Sequence, residues 1–315
     1  MKTNRKGFTL IELMAALGVT AVIGYFFISI GRDFVIAWDH VGDSVARETE
    51  ARAAMNTIAR DFEAAFFREG TDVMFAVDVL EDNTNSGIWE GDTAEGDTAE
   101  RPDGTGFDPA NHEYGWAGCW VRFFTAAPSL NAVGYQIIRS TIKGGVGTPR
   151  YMLYRNVTLI RDTLAEGFDL KAGALYFDNG YIGSIERPNI LAVNVIDFGV
   201  RLYVYESDPV TNPDPSGPDA PDGLRLVFPA DLSSSLETVL PAGGLAYSGA
   251  TFSPAGSGQR YPDVVEVFIR VLSESGADEI SNMEEAGDNS RWQEVVDKNS
   301  RLYRRYITIS GKGGV

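Results

Sequence analysis

The sequence predicts an α+β protein. One long amino-terminal α-helix, membrane-spanning at first and an amphipathic stalk beyond, packs on an antiparallel β-sheet head. Three observations predict it. The chain's longest apolar run lies within its first thirty residues. Helix-compatible residues then continue to Glu69, with no proline before Pro102. Beyond Gly70 the apolar residues change from a helical spacing to alternation.

From Phe8 to Ile30 the only charged residue is Glu12. At ~1.5 Å per residue this run reaches ~34 Å as a helix, enough to cross a ~30 Å hydrocarbon layer once. It is longer than the apolar core of a secretory signal, about 7–15 residues, and no small-x-small cleavage site clearly precedes Arg32. The segment is therefore expected to stay attached. Lys2, Arg5 and Lys6 precede the run and only Arg32 follows closely, which places residue 1 in the cytoplasm and the rest of the chain outside. Glu12 is the anomaly. A carboxylate in such a run costs about 2.5–3.5 kcal/mol near a bilayer centre. No Lys, Arg or His follows it within two helical turns, so compensation on that side falls to protonation, water or another molecule.

Lys6-Gly7-Phe8-Thr9-Leu10-Ile11-Glu12-Leu13 resembles the processing site of type IV prepilins and of the pseudopilins of type II secretion. The resemblance implies a pilin-like fold and a leader of residues 1–7. A prepilin peptidase would cut between Gly7 and Phe8 and methylate the new amino terminus at Phe8. Glu12 would become the fifth residue of the mature chain. Its carboxylate could then pair with the α-amine of Phe8 on a neighbouring subunit, removing two charges from the apolar layer. The implied partners are other pseudopilins or pilins, the peptidase and an inner-membrane assembly platform. The implied location is the bacterial inner membrane, with the head in the periplasm or built into a filament.

The transmembrane segment is expected over 8–31 and the stalk over 32–69. Phe34, Trp38, Val41 and Val45 form one stripe, and Met55, Ile58, Phe62 and Phe66 a second. Arg68 and Gly70 suggest the stop. As one helix, residues 8–69 would be ~93 Å long. Gly18, Gly24, Gly31 and Gly42 are its expected soft points.

Residues 70–315 form the expected β-rich head. Phe198, Val200, Leu202 and Val204 alternate with more polar neighbours, as do Val265, Val267, Ile269 and Val271, predicting strands with one buried face. Further strands are expected over Cys119 to Thr125, Tyr135 to Ile142, Tyr151 to Arg155, Leu224 to Phe228 and Tyr303 to Ile309, with Gly144 to Gly147 as a hairpin connection. Trp292, Val295 and Val296 suggest a short helix over Ser290 to Lys298. The order of Ala132-Val133-Gly134-Tyr135, Tyr151 to Arg155 and Pro262-Asp263-Val264-Val265 is loosely similar to J-type minor pseudopilins.

Glu81 to Asp108, Ser207 to Gly223 and Glu274 to Asn289 are acidic and turn-rich, and read as long loops. In the second, Asp208, Asp214, Asp219 and Asp222 could gather oxygens round calcium. Their spacing fits no EF-hand loop, and a solvated Pro-rich loop is the alternative.

The rest of the sequence argues against catalysis. Lys and Arg number 27 against 44 Asp and Glu, a balance of −17 that disfavours a nucleic-acid surface. The single cysteine, Cys119, reads as an inert core thiol; His40 falls in the stalk and His112 in a loop. No Gly-x-Ser-x-Gly elbow or complete phosphate loop occurs. No cofactor is expected beyond the calcium possibility. The expected role is structural: a minor pseudopilin at or near the tip of a type II secretion pseudopilus, the alternative being a type IV pilus minor pilin with an adhesive or ligand-binding head.

Overall fold

A computed structural model describes residues 10–68, 72–79, 118–140, 148–170, 187–205, 223–228, 245–248, 261–288 and 290–309. The chain divides into two compact units, Met1–Glu48 and Thr49–Val315. Helix α1 spans Leu10–Glu63. In chain order there follow β1 (Val73–Val79), β2 (Cys119–Thr125), β3 (Asn131–Ser140), β4 (Arg150–Thr158), α2 (Ile160–Glu166), β5 (Ile190–Val193), β6 (Val195–Tyr205), β7 (Leu224–Phe228), β8 (Leu245–Ser248), β9 (Val264–Leu272), α3 (Glu274–Ala286), α4 (Trp292–Asn299) and β10 (Ser300–Thr308).

The expected antiparallel sheet is two sheets. One is six-stranded in the order β5-β4-β3-β2-β1-β8, the other four-stranded in the order β10-β9-β6-β7. Among the described residues every strand pair is antiparallel. β3 and β4 pair out to Ser140 and Arg150, as hairpin partners do, while the glycine-rich connection lies outside the described residues. Ala51, Ala54, Ile58 and Phe62 of α1 share one continuous core with Phe123 and Tyr135 of the first sheet and Phe198, Val200, Val265 and Val267 of the second. Phe62 stacks on Phe123 with ring centroids 4.4 Å apart. The small Ala51 and Ala54 let the helix approach closely, and the aromatic rings pack against its larger residues.

The stalk helix ends at Glu63, not at Glu69. Ala65 bridges to Thr125; the Phe66 amide donates to the Phe124 carbonyl at 2.7 Å, and the Ala126 amide to the Ala64 carbonyl at 2.8 Å. Phe67 stacks on Tyr261 at 4.2 Å and is buried. Helical spacing would place Phe66 and Phe67 on adjoining faces of one helix, whereas an extended segment lets Phe67 bury while its backbone joins β2. Gly70, the expected stop, lies outside the described residues.

β6 and β9 are also not half-exposed strands. Ten consecutive residues of β6, from Val195 to Val204, are buried. On its more polar face Arg201 lies with its guanidinium 3.7 Å from Glu266 of β9, both almost wholly inaccessible. The Tyr203 hydroxyl donates to the same carboxylate at 2.9 Å. Burial makes that hydroxyl much harder to ionise, and the Glu266 charge adds to the effect. At the edge between the sheets Gly118 has φ +59°, and a Cβ there would lie 2.5 Å from the Phe198 carbonyl oxygen. Only glycine fits both the backbone and the space.

The expected loop from Glu274 to Asn289 is largely helix α3. Ser273 caps it, accepting from the Gly276 amide at 3.1 Å, and Gly287 ends it in the left-handed conformation. Its inward stripe, Ala277, Ile280 and Ser281, ends in a buried acid, Glu284. Arg139 of β3 donates to Glu284 at 3.0 and 2.8 Å, and the Tyr151 hydroxyl donates to its other oxygen. A second cluster fixes α1: Asp61 accepts from the Tyr135 hydroxyl and, at 2.7 Å, from Arg155.

Two stability measurements follow. Phe62→Ala should cost about 3–5 kcal/mol in urea unfolding of the full chain, because the cavity would open beneath two aromatic neighbours; a loss below about 1 kcal/mol would contradict the packing. Burial raises the Glu284 pKa above its ordinary 4.5, against the downward pull of Arg139 and its hydrogen bonds. The native state then binds more protons than the unfolded chain, so this group's contribution falls as pH rises from the ordinary value through the raised one. The stability of Glu284→Gln relative to the parent chain should therefore increase as pH rises above the ordinary carboxylate value of 4.5. A pH-independent difference would contradict the assignment.

Candidate functional site: the amino-terminal assembly segment

The first part of α1, Leu10–Arg32, is 23 residues long with mean hydropathy 2.2, and none of it is buried within the chain. Leu10 is 78% exposed and Ile28 74%, whereas Phe62 near the other end of the same helix is fully buried. An apolar surface of this extent is stable only when covered by lipid or by other helices. By length and composition the helix can cross a membrane once.

Glu12 stands in the first turn of α1, where a carboxylate interacts favourably with the positive end of the helix dipole. That placement keeps an acid compatible with the helix but leaves the cost of an apolar layer in place. The glycines expected as soft points do not interrupt α1: residues 10–63 remain helical through Gly18, Gly24, Gly31 and Gly42. A Cβ at any of the four would meet nothing within 4 Å. Close packing inside the chain therefore does not require them.

Gly7 and Phe8 lie outside the described residues, as do His112 and the four candidate calcium ligands Asp208, Asp214, Asp219 and Asp222. His40 falls on α1. Cys119 opens β2 and is fully buried, in keeping with a core thiol. Among the described residues no three His, Cys, Asp or Glu side chains come together as a metal site.

A concavity of about 480 Å³ lies beside α3 and the turn that follows it, lined by Asp278, Glu279, Met283, Asp288 and Arg291 among others. Its charges are engaged with one another or with neighbours. Arg150 pairs with Asp278, and Arg291 reaches Glu294 at 3.0 Å and Glu279 at 3.9 Å. Hydrogen bonds from the Ser290 hydroxyl and amide hold the Asp288 carboxyl below its usual range, and Arg291 does the same to Glu294. Carboxylates held in the ionised form are poor proton donors. Sequence reasoning missed the buried Glu284 and Asp61 clusters because their partners lie far away along the chain. Both hold the fold together.

Residues 2–24 match the family model of the prokaryotic N-terminal methylation motif. No curated protein and no solved structure matches the chain. The matched segment contains Gly7, Phe8 and Glu12 and overlaps most of the exposed apolar helix. The amino-terminal segment is thus type IV prepilin-like, identified by its methylation motif.

Proposed function

We propose that the protein is a minor pseudopilin, a structural subunit at or near the tip of a type II secretion pseudopilus. One observation carries the reading: the methylation motif coincides with a solvent-exposed apolar helix whose only acid is Glu12. A prepilin peptidase cuts between Gly7 and Phe8 and methylates Phe8. The subunit waits in the inner membrane with its head in the periplasm. It then enters a filament through the assembly platform, its apolar helix packing against those of other pseudopilins. Glu12 sets the axial register by pairing with the Phe8 amine of a neighbour, because that contact neutralises a carboxylate and an amine in the same apolar layer.

A tip position follows from charge and size. Cleavage removes Lys2, Arg5 and Lys6, three cations, taking the formal balance from −17 to −20 before the new amine is counted. Many identical heads of this charge repel one another, whereas one copy among less acidic relatives does not. The unit that follows Glu48 is compact, built round one hydrophobic core and a set of buried ion pairs, and is suited to capping a filament. Its role is structural rather than catalytic.

Two variants separate processing from assembly. Gly7→Leu should leave uncut precursor in the membrane with the apolar helix inserted, seen as a slower band on immunoblots; efficient cutting would refute the processing site. Glu12→Val should insert and be cut normally, yet be recovered with the other filament subunits about tenfold less, a coupling near 1.4 kcal/mol. Undiminished recovery would remove Glu12 as a register element.

A further inference from the structure

Of the four sheet edges among the described residues, three are blunted. β5 and β8 are four-residue strands and β7 has five, and each meets its neighbour through a register shift. Short, irregular edges are the usual protection against unwanted strand pairing. β10 differs. It pairs with β9 over nine consecutive residues, Ser300 to Thr308, without a bulge, and stands at the end of its sheet. It contains no proline.

Its charge is unusual as well. In a chain with a balance of −17, these nine residues carry Arg301, Arg304 and Arg305 and no acid. All three arginines are exposed. Arg304 lies 4.0 Å from the buried Glu266, at the limit of an ion pair, and keeps 47% of its side chain accessible. Arg305 donates to Asn56 of α1 at 2.6 Å, which ties the strand to the outer face of the helix. One turn further along that face, Arg60 is also exposed. Successive strand residues point to opposite faces, so Arg301 and Arg305 continue the basic face of α1 at Arg60 while Arg304 marks the other side. The result is a basic ridge along the β10 edge with cations on both of its faces.

We propose that this ridge is a docking surface for an extended acidic segment of a neighbouring subunit, added to β10 as a further strand. Backbone hydrogen bonds along a long regular edge supply the attachment, and side-chain charge supplies the choice of partner. The same charge excludes self-pairing. In the symmetric antiparallel register Arg304 of one copy would face Arg304 of another, and like charges directly opposite are destabilising. An acidic strand meets the reverse situation. The inference rests on the filament reading for the source of the segment, but not for the chemistry of what binds.

The test uses the full chain in detergent and three fluorescent peptides of about ten residues, alternating Val with Glu, Gln or Lys. Fluorescence anisotropy should show the Glu peptide binding most tightly and the Lys peptide not at all. Arg304→Glu/Arg305→Glu should weaken the Glu peptide at least about tenfold. Arg304→Gln/Arg305→Gln should give an intermediate loss, and circular dichroism checks that both variants fold. Hydrogen exchange should slow within 300–308 when the Glu peptide is bound. Three results would each overturn the proposal: equal binding of all three peptides, binding insensitive to both double variants, or binding without added protection of β10. None of these readouts depends on assembly, so a failed Glu12→Val prediction would leave them unaffected.

Discussion

An apolar helix carrying one carboxylate near its start is the constraint on which the rest depends. The 23 residues from Leu10 to Arg32 are not buried within the chain and are long and apolar enough to cross a bilayer once. Glu12 gains a little from the helix dipole, a few tenths of a kcal/mol to about 1, against a cost of about 2.5–3.5 near a bilayer centre. In the proposed assembly a neighbour's newly exposed α-amine reaches the depth of Glu12 and offsets that cost.

The unit from Thr49 onward solves a different problem, holding the outer end of α1 against two sheets. Apolar contact does most of this through Ile58, Phe62 and the aromatic residues of β1 and β2. Direction comes from polar groups. Asp61 is gripped by Tyr135 and Arg155, the Val193 amide donates to Glu50 at 3.1 Å, and Asn56 accepts from Arg305. Removing one member of a buried charge pair typically costs about 3–5 kcal/mol, since the other charge is left without compensation. The outer end of the helix is thus held at several points and not by a greasy stripe alone.

Particular residues show how far the sequence could be read. The strand from Cys119 to Thr125 was legible to the residue, because its apolar run is bounded by Gly118 and Pro128. The alternation in β6 and β9 was legible as strand but misleading about burial: Arg201 and Glu266 look like solvent-facing residues until they are seen to face each other. Helix α3 was hidden for the same reason, since Glu284 occupies an inward position that an apolar count scores as outward. Its capping residues, Ser273 and Gly287, were the signal that could have revealed it. At the amino-terminal segment the motif itself was readable because it is local. Paired charges from distant strands leave no such mark.

The most direct measurement is the intact mass of the protein isolated from its native membrane, with fragmentation of its amino-terminal peptide. The account predicts a chain that begins at Phe8 and carries one added methyl group on its amine. A chain that begins at Met1, or an unmethylated start elsewhere, would contradict it.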